Sequence, residues 1–228
     1  MFMKLSPLII FTGLLASPLQ ADMIHIPADR DATLIEDANG AYANGIGPAF
    51  FAGRNNQAQG SIRRGVIRFD VAGNLPERAL IDRAFVSLYQ TSNSNTAASL
   101  VSLHRVLQDW NEGTAFSAGG GGAPSATGDV TWLNTSYDLE YWVQAGGHFI
   151  AHASGSELVS GQGFYTWQDS VNLVNDVRLW LNAPQQNFGW LVMGDEDTPQ
   201  TAKRFASREA PAAAQQPMLT IEYHLPGE

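Results

Sequence analysis

Five arginines carry the most pointed chemistry in this sequence. Arg63, Arg64 and Arg68 fall in one stretch, IRRGVIRFDVAGNLP from Ile62 to Pro76, and Arg204 and Arg208 fall in a second stretch near the C-terminal end. Arginine presents a planar fork that pairs with a carboxylate through two parallel hydrogen bonds, which suits the uronate groups of an acidic sugar. The same forks can be consumed internally. Asp70 and Glu209 stand close by in sequence, and Ser207-Arg208-Glu209 reads equally well as a structural ion-pair motif.

Aromatic and acidic residues form the next two groups. Of six tryptophans, Trp110 and Trp142 sit beside loops and are the candidates for stacking on sugar rings. The others lie among apolar residues, where a tryptophan usually serves the core. Asp29 and Asp31 near the start, with Asp195 and Asp197 of the Asp195-Glu196-Asp197 run, are candidate ligands for a structural calcium ion, which takes about 6–8 hard oxygens. The plainer reading of that run is a solvated loop tip. His148 and His152 are four apart, but Gly146-Gly147 and Gly155 oppose the helix that would bring them to one face. Asp109 and Glu112 are a conceivable glycosidase pair, yet such a mechanism depends on a carboxylate separation that loop residues three apart do not define. No HExxH or GxSxG motif occurs. No catalytic residue is assigned, and the chain reads as non-enzymatic.

The elements that must position these groups are mostly strands. Gly65 to Val71 alternates, with Ile67, Phe69 and Val71 on one face and Arg64, Arg68 and Asp70 on the other, until Gly73-Asn74 and Pro76 end the run. Ala84 to Gln90, Leu100 to Leu107, Gly189 to Gly194, Arg204 to Glu209 and Met218 to His224 also read as strands. Met23–Pro27 and Ala32–Glu36 read as two, parted by Asp29-Arg30-Asp31. Ser170 to Asn182 is the one clear helix, with apolar residues three and four apart, a cap at Asp169 or Ser170, and Pro184 after its end. Asp109 to Gly128, with four consecutive glycines at Gly119 to Gly122, is a long irregular segment of the kind that often carries function. Asn134-Thr135-Ser136 matches a glycosylation acceptor. The predicted fold is all-β: a single antiparallel, jelly-roll-like β-sandwich with one short packing helix.

Composition bounds the rest. The 228 residues are 44% hydrophobic and 15% charged, as in a compact globular chain, and the formal net charge of −9 disfavours nucleic acid and anionic membranes as partners. The absence of cysteine excludes disulfides, thiolate metal sites and a lipoprotein anchor. Lys4, the apolar run Leu8 to Leu15 and Leu19-Gln20-Ala21 form a secretory signal pattern too short to span a bilayer. Residues 1–21 are read as a signal peptide cleaved near Ala21, and 22–228 as one domain.

With the strands in place, the chain resembles the DNRLRE-domain family, also called disaggregatase-related carbohydrate-binding modules. Four segments carry the resemblance: Arg64-Gly65-Val66-Ile67-Arg68-Phe69-Asp70 through Pro76; Asp109-Trp110-Asn111-Glu112-Gly113 with Thr131-Trp132-Leu133-Asn134; Val177 to Leu181 through Asn187-Phe188-Gly189-Trp190; and Phe205-Ala206-Ser207-Arg208-Glu209 with the strand after Pro217. The resemblance implies a secreted β-sandwich, often an accessory to polysaccharide-degrading enzymes and associated with acidic polysaccharides such as alginate. The expected function is therefore non-catalytic binding of an acidic polysaccharide by an arginine-lined face, either periplasmic or extracellular. A structural or adhesive protein of the cell surface or matrix is the alternative, and a polysaccharide lyase or hydrolase the third reading. A lyase would need a base such as His104 or His148 beside a free arginine in one groove.

Overall fold

The computed structural model describes residues 21–92 and 96–226, so the expected signal peptide lies outside the described residues. Strands run as β1 (Asp22–Ile35), β2 (Tyr42–Asn44), β3 (Ala49–Arg54), β4 (Ile62–Phe69) and β5 (Leu80–Gln90). They continue as β6 (Ser99–Arg105), β7 (Ala123–Pro124), β8 (Asn134–Ser136), β9 (Glu140–Tyr141), β10 (Gly155–Val159) and β11 (Gly163–Trp167). Last come β12 (Trp190–Met193), β13 (Lys203–Ala206) and β14 (Met218–His224). Two short α-helices, α1 (Val71–Asn74) and α2 (Val171–Asn182), interrupt them. The protein is all-β.

Pairing between these strands is antiparallel, and six of them close into a ring: β4, β3, β13, β5, β14, β1 and back to β4. β12, β6 and β10 extend outward from β4, β2 and β7 from β1, and β11 lies along β5. The expectation of a two-sheet sandwich is thus met at the level of antiparallel all-β architecture, while the strands themselves close on one another. β1 is what makes closure work. Its first half pairs with β14 and its second half with β4, and a register shift between Ala28 and Arg30 marks the change of partner. Asp29-Arg30-Asp31, read in sequence as a break between two strands, is therefore a bulge inside one, where an extra residue bends the strand.

Two apolar clusters fill the molecule. Inside the ring, Phe50, Phe69, Trp167, Trp180, Trp190 and Phe205 are fully buried. The helix α2 closes part of this core with Leu173, Val174, Val177 and Trp180, its first turn capped by Ser170, which accepts from Leu173 N at 3.1 Å. Trp180 meets Trp190 edge-on at 4.4 Å. The second cluster lies on the other face of β4 and β12, where the segment from Val106 to Phe149 folds over Ala32, Leu34, Val66 and Leu191. β4 is thus packed on both faces, and its alternation is blurred. Gly65 sits where a Cβ would be 2.6 Å from the Phe50 ring, so only glycine lets the ring lie against the strand. Past Phe69 the expected strand turns into α1, because Asp70 caps it by accepting from Gly73 N at 3.1 Å.

Candidate functional site

The five arginines separate into two groups. Arg68 is held by Asp29 through both fork nitrogens, Nε at 3.1 Å. Arg64 grips Glu196 at 2.7 and 2.9 Å, donates to Gly146 O, and stacks on Trp132 with its guanidinium carbon 4.8 Å from the ring centre. Arg208 holds both oxygens of Glu112 at 2.8 and 2.6 Å and lies 2.8 Å from Glu209. These three are framework ion pairs. Asp70, the partner suggested by sequence, is spent on the helix cap instead.

Around Arg208 the charges are dense. Asp31 is fully buried and accepts from Arg208 N at 2.7 Å, while its own N–H donates to Glu112. Burial, reinforced by Glu209 and Glu112, pushes the Asp31 carboxyl well above the usual carboxylate range, and burial raises Glu209 as well. A carboxyl whose folded pKa is raised binds its proton more readily folded than unfolded, so its stabilising contribution is lost as pH rises through the raised value. Asp31→Asn keeps an oxygen for Arg208 N and removes the charge. The variant is expected to melt above the parent at neutral pH, with the gap closing as pH falls and Asp31 takes up its proton. Calorimetric melting temperatures from about pH 4 to about pH 8 check this, and a pH-independent gap would contradict it.

Arg63 and Arg204 are different. Neither makes an ion pair among the described residues. Arg63 is 2% exposed and is held by neutral acceptors: its Nε donates to Gly120 O at 2.5 Å and its Nη1 to Gly60 O at 2.7 Å. Arg204 donates to Thr91 Oγ1 at 2.5 Å and lies over the Phe51 ring. Burial lowers the pKa of both. They line one cavity of about 380 Å³ with Phe51, Asn55, Ser92 and Gly120, and among the described residues no carboxylate lines it. Arg63 and Gly121 also line a neighbouring groove of about 820 Å³, together with Tyr42, Trp132, Asn39 and Gln57 and the acids Glu36 and Asp37. Tyr42 is exposed and Trp132 partly so. An aromatic wall, side-chain amides and an adjoining cationic cavity together suit a charged saccharide.

The loop tryptophans singled out by sequence are elsewhere. Trp110 is 2% exposed, donates its indole N–H to Phe188 O and lies beneath Arg30; Trp142 is 5% exposed and donates to Thr131 O. Both anchor the second core, because the long segment crossing β4 needs apolar residues of its own, and neither offers a face to a sugar. Tyr42 and Trp132 were missed as site residues, although the Asn39-Gly40 turn before Tyr42 and the glycine tract signalled a loop-built site.

The candidate calcium ligands are dispersed. Asp29 is taken by Arg68 and Asp31 by Arg208 N, while Asp195 accepts from Asp197 N and Thr198 N in its own turn. Among the described residues no three histidines or acids are arranged to hold a metal ion. Asn134 of the glycosylation pattern is 3% exposed and accepts from Thr131 Oγ1, so it is closed to modification in this fold. His104 shares the Phe149 ring with Arg64, but it is buried, both its nitrogens are bonded, to Ser102 Oγ and Ile150 O, and burial lowers its pKa. Asp109 pairs with Arg30 at the surface, and Glu112 is buried against Arg208.

No protein-family model matches this chain, and no curated protein matches it either. Among the described residues no helix is long and apolar enough to cross a membrane.

Proposed function

We propose that this is a secreted, non-catalytic carbohydrate-binding protein of the DNRLRE type, with an acidic polysaccharide as its ligand. One observation carries the reading: Arg63 and Arg204, two guanidinium groups without an ion pair among the described residues, line a single cavity whose described lining holds no acid, on a chain of net charge −9. In this reading a uronate carboxylate enters that cavity, and neighbouring sugar rings lie along Tyr42 and Trp132. The site is therefore assigned to Arg63 and Arg204, and the Arg68–Arg208 face suggested by sequence is set aside because both arginines are ion-paired. The proposal includes the finer fold, a flattened jelly-roll sandwich whose two sheets are joined at their edges by β1 and β3; the double pairing of these strands supports it. A structural calcium ion enters without assigned ligands, since Asp29, Asp31 and Asp195 are engaged elsewhere and, among the described residues, no three acids or histidines are arranged to hold a metal.

The test is isothermal calorimetry with tetragalacturonate and tetramannuronate, and with a neutral oligosaccharide of equal length. Arg204→Gln is expected to weaken uronate binding about tenfold or more, the worth of one charge-assisted fork, while the melting temperature moves little. Arg204→Lys should recover only part of it, because the charge stays and the fork goes. Equal affinity for the neutral oligosaccharide, or unchanged binding by Arg204→Gln, refutes the assignment.

The adhesive alternative has its own observation. Leu139, Tyr141 and Val143 are exposed at alternate positions at and beside β9, at 65%, 69% and 74%. A sedimentation coefficient that rises with concentration and falls back in Tyr141→Ser would favour that role.

A further inference from the structure

The glycine tract divides the proposed site. It crosses above Arg63, and Gly121 lines the cavity on one side and the groove on the other. Both ends of the tract are pinned. At entry Ser117 N donates to Asn44 Oδ1 at 3.0 Å. At exit Gly122, at φ +75°, packs so closely that a Cβ would lie 2.3 Å from Ile35 Cδ1, and Ala123–Pro124 pair with β2. Between the pins the strap meets the body of the protein at Arg63, through Gly120 O, and at the Phe51 ring, 3.3 Å from where a Gly120 Cβ would stand.

Only Gly120, against the Phe51 ring, is tightly placed in the closed arrangement; Gly119 and Gly121 on either side of it are not required to be glycine. Gly119, Gly120 and Gly121 lie outside the left-handed region, and a Cβ at Gly119 or Gly121 would meet nothing within 4 Å. Glycine costs more conformational entropy to order than any other residue, so the two that no turn or close approach demands, Gly119 and Gly121, are explained by motion. The latch points the same way. Arg63 is a buried cation whose hydrogen-bond acceptors are neutral oxygens, and a charged acceptor in place of the Gly120 carbonyl makes the stronger bond.

Resting on the binding reading above, we infer that the Gly119–Gly121 strap is a gate. A ligand carboxylate displaces Gly120 O from Arg63 Nε, the strap lifts, and the two cavities join into one groove continuous past the guanidinium. A ligand shifts such an equilibrium only through contacts it makes better in one state, and the freed Nε–H of Arg63, now donating to a charged oxygen, supplies that difference.

The test uses the absence of native cysteine. A nitroxide attached at Gly119→Cys, where a side chain has room and lines neither cavity, reports strap motion through its spectral line shape. In the free protein, Arg63→Met is expected to raise the fast-motion component by removing the latch. Phe51→Leu, which removes the ring beneath Gly120, gives the same readout should Arg63→Met not fold. In the latched protein, tetragalacturonate or tetramannuronate is expected to raise the same component in step with calorimetric saturation. Heat of binding with an unchanged line shape overturns the gate and leaves the binding reading intact. No heat, with a fast component appearing on unlatching, overturns the binding reading and supports the latch alone. A line shape indifferent to both Arg63→Met and Phe51→Leu overturns the latch.

Discussion

Gly189→Ala is expected to leave the protein largely unfolded at physiological temperature. Gly189 precedes β12 with φ +77°, and a Cβ there would stand 2.0 Å from Ile67 O and 2.9 Å from Arg68 Cα, both backbone of β4. No rotamer change relieves a clash with backbone, so either β12 withdraws from β4 or the turn unwinds. Either movement disturbs Trp190, which is fully buried between Phe69 and Trp180. Left-handed strain alone costs roughly 1–2 kcal/mol, and exposing a core tryptophan adds about 3–5 kcal/mol, together a large share of a typical stability of about 5–15 kcal/mol. Urea titration followed by tryptophan fluorescence measures it. A midpoint within about 0.5 M of the parent would show that the strand junction tolerates the methyl, given typical slopes of about 1–3 kcal/mol per molar urea.

Arg208→Ala is the second large effect, expected at about 3 kcal/mol. Removing one partner of a buried ion pair typically costs about 3–5 kcal/mol; the lower end applies because the Arg208 side chain is 36% exposed. What remains is worse than a missing contact: Asp31, Glu112 and Glu209 face one another without their cation. Protonation relieves that repulsion, so the deficit should narrow as pH falls toward the carboxylate range, and Glu112→Gln in the same chain should restore part of the stability. Chemical denaturation of the single and double variants at two pH values measures both. A deficit equal at neutral and acidic pH would contradict the charge account. Because Arg208 is framework, its loss should leave ligand affinity of the folded fraction unchanged, in contrast to Arg204→Gln.

The elements most legible in sequence were those with an unbroken local period. β14 and β5 show clean alternation, and α2 carries its own cap at Ser170, so each can be read without knowing what it packs on. Within α2 the buried face runs through Leu173, Val174, Val177 and Trp180, while Val171 in its first turn is 77% exposed. Partnerships were less legible. Arg68 finds Asp29 39 residues away, Arg208 finds Glu112 at 96, and Arg64 finds Glu196 at 132, distances at which local pattern is silent. Trp110 looks like a loop residue because Asp109 and Asn111 flank it, and Trp142 because it stands just before Gly146-Gly147; only the crossing of their segment over β4 buries them. Arg63 and Arg204 became separable from the other arginines once the carboxylates had been allotted in space.

The ring closed by β1 has a consequence for when this protein can fold. Asp22 pairs with Tyr223 and Pro27 with Met218, so the first half of β1 waits for its partner until β14, the most distant described strand, has been made. The seam cannot form before β14 has been synthesised; until then the first half of β1 keeps an open edge and the ring stays incomplete. Contacts this distant in sequence carry a high loop-closure cost and belong to folding on the scale of milliseconds to seconds. Closure of the ring therefore waits on the meeting of its two most distant strands, and no shorter stretch of the chain can complete it.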